Sequence, residues 1–149
     1  MTGFLAWLLP LLAAVLTTWL AAIELTLRNG ARGEVERALA ARGRAGHWSP
    51  IEDRLPAVIG VISFLKMTAG ITFLCLWTID FSGLPGPDMS TGGFFIGTST
   101  AIVLLWLMIA VVGTAVAHWS AHPIVTLATP LLRACANLGL LPGLVIRFT

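Results

Sequence analysis

The sequence predicts an all-α membrane protein with three transmembrane helices, an amphipathic cytoplasmic connection and juxtamembrane helices, and two observations support this fold class. Hydrophobic residues make up 57% of the 149 residues and charged residues 11%, against roughly 25% charged in an ordinary soluble domain, so lipid must cover part of the apolar surface. Six of the nine Lys and Arg residues lie in one connection, between long uncharged segments. Because Lys and Arg in loops stay on the cytoplasmic side during insertion, this connection sets the orientation.

The first predicted transmembrane helix covers about residues 4–27. No charged side chain precedes Glu24, and at about 1.5 Å of rise per residue the segment crosses a hydrocarbon core of about 30 Å. A cleaved signal peptide is the competing interpretation, but the segment lacks a basic region before its apolar part and an A-x-A-like site before Glu24. Arginines follow the segment and none precede it, so the N-terminus is predicted outside, with a kink at Pro10.

The connection over residues 28–54 is polar, but Val35, Ala38 and Leu39 fall at helical spacing within it. We predict a short amphipathic helix in the cytoplasmic interface, with its apolar side in the headgroup region and its arginines directed outward. A fully solvated loop is the alternative interpretation. Trp48 and a proline that follows it are predicted to turn the chain back toward the membrane.

Two further transmembrane helices are predicted over residues 55–79 and 94–117. The first of them is interrupted only by Lys66, and the second is uncharged. The Gly/Pro-rich segment 80–93 between them contains two acids and neither Lys nor Arg, which is the composition of an outside loop.

Residues 119–146 are predicted to form a juxtamembrane helical layer on the cytoplasmic side, within a single domain. Two uncharged runs of 14 and 13 residues are separated here by Arg133 and punctuated by three prolines. Each run is short for a straight crossing. A fourth crossing made of both runs would bury Arg133 near the middle of the bilayer, which is costly.

Few residues indicate catalysis. His118 and His122 are four residues apart, but Trp119 stands where the H-E-x-x-H peptidase motif has its glutamate, so both are predicted to be interfacial histidines. Cys75 and Cys135 are single thiols in apolar surroundings, predicted to be small buried hydrophobic residues without a disulfide framework or metal cluster. The net charge of +2 is too small to indicate nucleic-acid binding and fits anionic headgroups better. We therefore expect neither an enzyme nor a bound cofactor.

Lys66 is the most informative residue within the spans. A lysine near the centre of a span costs about 2.5–3.5 kcal/mol on insertion scales, so it is usually paired or lines a wet cavity. Glu24 is its natural partner in charge. Alternatively, Lys66 extends along its aliphatic stem toward an interface.

Hydroxyl groups are the other polar groups of the spans. Most are expected to bond back to their own helix or to join neighbouring helices. A subset that faces one cavity would coordinate a hard cation such as Mg²⁺ or Na⁺, although Mg²⁺ normally takes carboxylate as well. These residues are Thr17, Thr18, Ser63, Thr68, Thr72 and Thr114.

Motifs that carry a family resemblance are spread along the chain, and the resemblance covers nearly all of it: WLAAIELTL at 19–27, ERALAARG at 36–43, and GTAVAH at 113–118 followed by ATPLLRACANLGLLPG. They resemble the CNNM/CorC transmembrane domain, from a family of Mg²⁺ transporters and related proteins. In that family a first-helix pattern like FFSAxETAL precedes arginines and an L-A-x-x-G segment, and the third span ends in G-E-x-x-P-K before an apolar juxtamembrane layer. The resemblance implies the same architecture and a homodimer.

The resemblance also implies a cation site, although several family positions differ. Ala21 stands where the family has a first-helix serine, with Thr17 one turn earlier, and Thr114 replaces the glutamate of the third span. Ser63 or Lys66 falls in the region of the second-span asparagines. The metal ligands that the resemblance implies are Thr17, Glu24, Ser63 and Thr114, with Lys66 as a possible substitute for the cation. The cytosolic CBS pair that usually follows is absent from these 149 residues, so a separate soluble regulatory partner is one expectation.

Two functions follow from these observations. The first is a divalent-cation transport domain, with Mg²⁺ as the transported ion. The second is a non-transporting membrane scaffold or partner subunit, since Glu24 is the one carboxylate left in the cavity region and Lys66 adds positive charge where a cation should lie. In both cases we expect an integral protein of the plasma or inner membrane, with the bilayer and a second copy as partners and the C-terminus in the cytoplasm.

Overall fold

The computed structural model describes residues 2–29, 32–43, 46, 48–82 and 91–138, and within these ranges the chain is almost entirely helical. The elements in chain order are α1 (Thr2–Arg28), α2 (Arg32–Ala41), α3 (Ser49–Glu52), α4 (Leu55–Ser82), α5 (Thr91–Leu107), a π-helix (Met108–Gly113) and α6 (Thr114–Leu138). α5, the π-helix and the start of α6 follow one another without a break. We call this continuous stretch the third long helix.

Three helices are long and apolar enough to cross a membrane, as the sequence predicts. They are Trp7–Arg28, Leu55–Asp80 and Thr91–Trp119, with mean hydropathies of 2.0, 1.9 and 2.4. Each agrees with the corresponding predicted span to within a few residues. At about 1.5 Å per residue, even the shortest exceeds the roughly 30 Å thickness of a hydrocarbon core.

α1 is the central helix of the bundle. The buried share of the most apolar window is 50% for α1, 28% for α4 and 17% for the third long helix. Half of α1 is therefore enclosed by protein, whereas most of the third long helix presents apolar side chains outward. An apolar surface of that extent requires lipid or another apolar partner to cover it.

The larger of two apolar clusters lies at the end of α1 that carries Arg28. Ile23 and Leu27 of α1 pack there with Val58 of α4, Trp48 and Leu132, and these side chains are almost completely buried. The smaller cluster contains Ala14, Phe73 and Ala101, with Trp77 and Leu104 packed against it. The bundle is thus packed most tightly at the end where the connection and α6 meet α1 and α4.

The predicted amphipathic helix is present as α2, but its apolar side is not where we expected it. Leu39 is buried in the larger cluster, so this side chain packs against protein and not in the headgroup region. The side chains of Val35 and Ala38 lie outside the described residues. α2 ends at Ala41. Gly43 takes a positive φ of 68° and its N–H donates to the carbonyl of Ala40 at 2.9 Å, a common glycine-based helix end.

α6 differs from the predicted juxtamembrane layer, in which the chain was divided near His118 and again at Arg133. One helix runs from Thr114 to Leu138 through both positions, and Arg133 lies exposed on it. Pro123 and Pro130 lie inside this helix and oppose its continuation, whereas the alanines and leucines around Arg133 favour it. Ala128 and Leu132 of α6 pack into the larger cluster, whereas residues 139–146 lie outside the described part of the chain.

The two cysteines differ in their environment. Cys135 is buried as predicted, and its burial raises the pKa of the thiol. Cys75 is exposed on α4, so the prediction that it is buried was wrong. In a membrane helix both the lipid-facing and the protein-facing sides are apolar, so an apolar neighbourhood in sequence does not distinguish them. Both thiols are free.

Candidate functional site

Glu24 is the centre of the polar site, and it lies almost fully buried on the apolar helix α1. Its Oε1 atom accepts hydrogen bonds from Nε of Arg28 at 2.9 Å and from Oγ of Ser63 at 3.2 Å. Nη2 of Arg28 also lies 2.8 Å from Oε1. Its Oε2 atom accepts a hydrogen bond from Nζ of Lys66 at 2.5 Å. The carboxylate therefore joins two cations and one hydroxyl group.

Helical spacing places these four side chains together. Arg28 follows Glu24 by four residues on α1, and Lys66 follows Ser63 by three on α4, so each pair shares one helix face. α1 and α4 pack along each other, with Ile23 beside Val58 and Ile62 in the larger cluster. The packing of the two helices brings the two polar faces into contact.

The three charged side chains differ in burial, and this difference decides which ion pair contributes more to stability. The exposed fraction of the side chain is 8% for Glu24, 22% for Lys66 and 57% for Arg28. Solvent-exposed pairs on one helix contribute only about 0.3–0.5 kcal/mol, whereas removing one partner of a buried pair is strongly destabilising. The Glu24–Lys66 pair is thus the main electrostatic contact between α1 and α4. Lys66 is paired, as predicted from its charge.

A cleft of about 240 Å³ adjoins this site. Glu24, Arg28 and Lys66 line it together with Ala21 and Leu25 of α1 and with Ile109, Ala110 and Thr114 of the third long helix. The π-helix forms this wall, and π-helical turns are frequent at functional sites. This wall packs against α1 at Gly113, where an added Cβ atom would lie at an ordinary contact distance of 3.5 Å from Cβ of Ala21.

Most hydroxyl groups bond to their own helix, as predicted. Thr17, Thr18, Thr68, Thr72 and Thr114 each donate to the carbonyl four residues earlier, at 2.6–3.0 Å. Ser63 differs, because its hydroxyl reaches across to Glu24. These back-bonded threonines satisfy their own donors and leave the acceptor side of the oxygen available.

The structure brings together three of the four predicted ligands. Glu24 and Thr114 line the cleft and Ser63 bonds to Glu24, whereas Thr17 does not reach them. Thr17 lies seven residues before Glu24, about 10 Å along the helix, and its methyl group faces Gly70 of α4. Among the described residues, no group of three or more His, Cys, Asp and Glu side chains could hold a metal ion.

Arg28 is the member of the site that the sequence interpretation missed, since it was assigned only to the cytoplasmic charge cluster. Its Glu-x-x-x-Arg spacing with Glu24 was the available signal. The contribution of Ile109 and Ala110 to the wall had no such signal, because the local winding of the π-helix sets the direction of these side chains. The predicted interfacial His118 is exposed on α6, and the side chain of His122 lies outside the described residues.

Comparison with known proteins gives no assignment: no protein-family model, no curated protein and no solved structure matches this chain.

Proposed function

We propose that this chain is an integral membrane protein that acts as a non-transporting scaffold or partner subunit, with the architecture of a CNNM/CorC-type transport domain and with Lys66 in place of the cation. The observation that carries the proposal is the 2.5 Å hydrogen bond from Nζ of Lys66 to Oε2 of Glu24. The chain lies in the plasma or inner membrane, with its N-terminus outside and its C-terminus in the cytoplasm.

The bonding of Glu24 supports this proposal. A carboxylate offers about four acceptor positions, and Arg28, Ser63 and Lys66 together donate to both of its oxygens. Mg²⁺ binding would require these donors to leave. Two unit charges about 4 Å apart repel by about 4 kcal/mol at an effective dielectric constant near 20, so a divalent ion beside the ammonium group is strongly disfavoured.

Divalent-cation transport is the second candidate, and the cleft beside Glu24 favours it. Thr114 lines the same cleft, and Ser63 is already in contact with Glu24, so three oxygen-bearing side chains lie near one another. Displacement of the Lys66 side chain away from Glu24 would free Oε2 of that carboxylate. In this case the cation would replace the ammonium group as the partner of Glu24.

Mg²⁺-dependent thermal stabilisation tests the proposal. The wild-type protein in mild detergent should gain little melting temperature on addition of Mg²⁺, because no ligand set is available. The melting temperature of the double variant with Lys66→Asn and Thr114→Glu should rise clearly on addition of Mg²⁺, because an ion that binds the folded state stabilises it in proportion to occupancy. Thr68→Glu on the other side of α4 is the matched control for added negative charge.

Two outcomes would contradict the proposal. Strong Mg²⁺ stabilisation of the wild type, unchanged by Lys66→Asn, would show that Lys66 does not substitute for an ion and would favour the transport function. An equal response of the Thr114→Glu and Thr68→Glu proteins would show that Mg²⁺ acts through general surface charge and not through this site.

We also propose that two copies associate in the membrane. The support is the third long helix, of which only 17% of the most apolar window is buried, together with exposed large side chains such as Trp106 and Val103. Chemical cross-linking in native membranes should yield a dimer at low protein density, and recovery of monomers alone would contradict the proposal. A soluble regulatory partner would bind the cytoplasmic side of such a pair.

A further inference from the structure

We propose that the face of the bundle beside Lys66 binds an anionic phospholipid from the leaflet nearest Arg28. The lipid phosphate lies against Arg28 and Lys66, and one acyl chain lies in an apolar groove between α4 and the third long helix. This inference goes beyond the scaffold function, and it does not depend on whether the chain transports an ion.

The first supporting observation is an unbalanced charge. The single carboxylate of Glu24 is shared by Arg28 and Lys66, so the formal charge of the three groups is one positive. Only two of the five guanidinium N–H groups of Arg28 are engaged by Glu24. The Arg28 side chain is also more than half exposed. An external anion can therefore reach the guanidinium without displacing Glu24.

A lipid phosphodiester matches this unbalanced charge. It carries a single negative charge and offers two oxygen acceptors, which a guanidinium binds through paired, charge-assisted hydrogen bonds. A net positive charge near hydrocarbon is costly when it remains unpaired. A phosphate that reaches in from the Arg28 end of the site offsets this charge.

The second observation is an apolar groove of about 220 Å³ that begins at Lys66. Gly70, Ile71 and Leu74 of α4 form one wall, and Leu105 and Ile109 of the third long helix form the other. The two walls are close at Gly70, where an added Cβ atom would meet the Leu105 side chain at 3.5 Å, an ordinary contact distance. Lys66 and Ile109 also line the polar cleft, so the polar and apolar cavities adjoin.

The dimensions of the two cavities fit one lipid molecule. The groove runs from Lys66 to Leu74, about 12 Å along α4, and Arg28 lies about 6 Å beyond Glu24 on α1. The polar end and the apolar end thus follow one another along the bundle, in the order of a headgroup and an acyl chain. A free phosphate ion would use only the polar end and leave the apolar groove without a function.

Native mass spectrometry of the purified full chain tests this inference. Phosphatidylglycerol and phosphatidylcholine with identical acyl chains are titrated separately in a nonionic detergent, and the first bound lipid is quantified. The variants are Arg28→Gln at the polar end and Ile71→Trp in the groove. Their matched controls are Arg37→Gln, an exposed arginine on α2, and Ile102→Trp, an exposed isoleucine on α5 outside the groove. A melting curve for each variant confirms that it is folded.

Phosphatidylglycerol should bind the wild type about tenfold more tightly than phosphatidylcholine. Both lipids carry the phosphodiester, but the quaternary ammonium of phosphatidylcholine cancels the net negative charge and is repelled by Arg28 and Lys66. Arg28→Gln should remove most of this preference, and Ile71→Trp should weaken the binding of both lipids. The two control variants should change neither the preference nor the affinities.

Three results would overturn the inference. Equal affinity of the wild type for the two lipids would show that no headgroup is selected, and this comparison needs no variant. An equal effect of Arg37→Gln and Arg28→Gln would assign the binding to general surface charge. Displacement of phosphatidylglycerol by millimolar inorganic phosphate would show that the site takes a free anion and not a lipid.

Discussion

Among single residues, Glu24 and Lys66 form the ion pair that joins α1 to α4. Its formation could be predicted, because a buried lysine in an apolar helix needs an anionic partner and Glu24 is the acid that the first span supplies. The place of Thr17 could not be predicted in the same way. A threonine that bonds to its own backbone can face any direction around the helix, so its type alone does not indicate which neighbour it meets.

Removal of the carboxylate should be strongly destabilising. Glu24→Gln leaves the largely buried ammonium of Lys66 without its charge partner, and loss of one partner from such a pair costs about 3–5 kcal/mol when burial is complete. Because Lys66 is partly exposed, we expect about 2 kcal/mol. Thermal denaturation in mild detergent measures this loss.

A double variant separates loss of the pair from loss of packing. Glu24→Gln with Lys66→Met should recover most of the lost stability, because both charges are then removed together. Glu36→Gln, on the exposed side of α2, is the control and should change stability by less than about 0.5 kcal/mol. If Glu24→Gln were no more destabilising than this control, the pair would not join α1 to α4.

At the scale of secondary-structure elements, length and apolarity were sufficient to locate the three long helices. The internal details of these helices were not predictable. The π-helix at Met108–Gly113 lies in a uniformly apolar stretch, where no residue type indicates an extra residue per turn. α6 continued through Arg133 because helix propensity was favourable across a position that hydropathy alone had suggested as a boundary. The position of α2 in the sequence was predicted correctly. The contact of Leu39 with the larger apolar cluster was not, because it depends on residues far away in the sequence.

The contact of the π-helix with α1 gives a prediction at this scale. A Cβ atom at Gly113 would meet Cβ of Ala21 at 3.5 Å, which is ordinary contact. Gly113→Ala should therefore be nearly neutral, whereas Gly113→Leu has no room for its further carbons and should cost about 1–3 kcal/mol, the usual range for overpacking. The melting temperatures of the two variants give the comparison.

Gly60→Leu is the matched control for the glycine substitution. Gly60 is also inside a long helix, but a Cβ atom there meets no other atom within 4 Å, so leucine should be tolerated. A loss of stability in Gly60→Leu equal to that in Gly113→Leu would mean that the close approach of the π-helix to α1 is not the cause.

At the scale of the whole molecule, the distribution of charge predicts how the bundle lies in a membrane. Arginines concentrate between the first two long helices, and the segment from Met67 to Leu132 contains neither Lys nor Arg. The larger apolar cluster lies at the same end as those arginines. We therefore propose that this end lies in the cytoplasm. This orientation stays a prediction, and it depends on the number of charges per loop and not on side-chain positions.

Cysteine accessibility tests this orientation. In a background of Cys75→Ala and Cys135→Ala, a cysteine at Asp88 should react with a membrane-impermeant thiol reagent from outside, because the Asp80–Gly93 connection has no basic residue. A cysteine introduced by Arg37→Cys, on the exposed side of α2, should react only after the membrane is permeabilised. The reverse pattern would refute the proposed topology.

The central claim is that Lys66 replaces the cation and that this chain does not transport Mg²⁺ by itself. A flux measurement tests it most directly: the protein is reconstituted into liposomes that contain a Mg²⁺-sensitive dye, and an ionophore added at the end confirms that the dye responds. We expect liposomes with the wild-type protein to take up Mg²⁺ no faster than protein-free liposomes. Saturable uptake by the wild type that is lost on Glu24→Gln and unchanged by Lys66→Asn would contradict it.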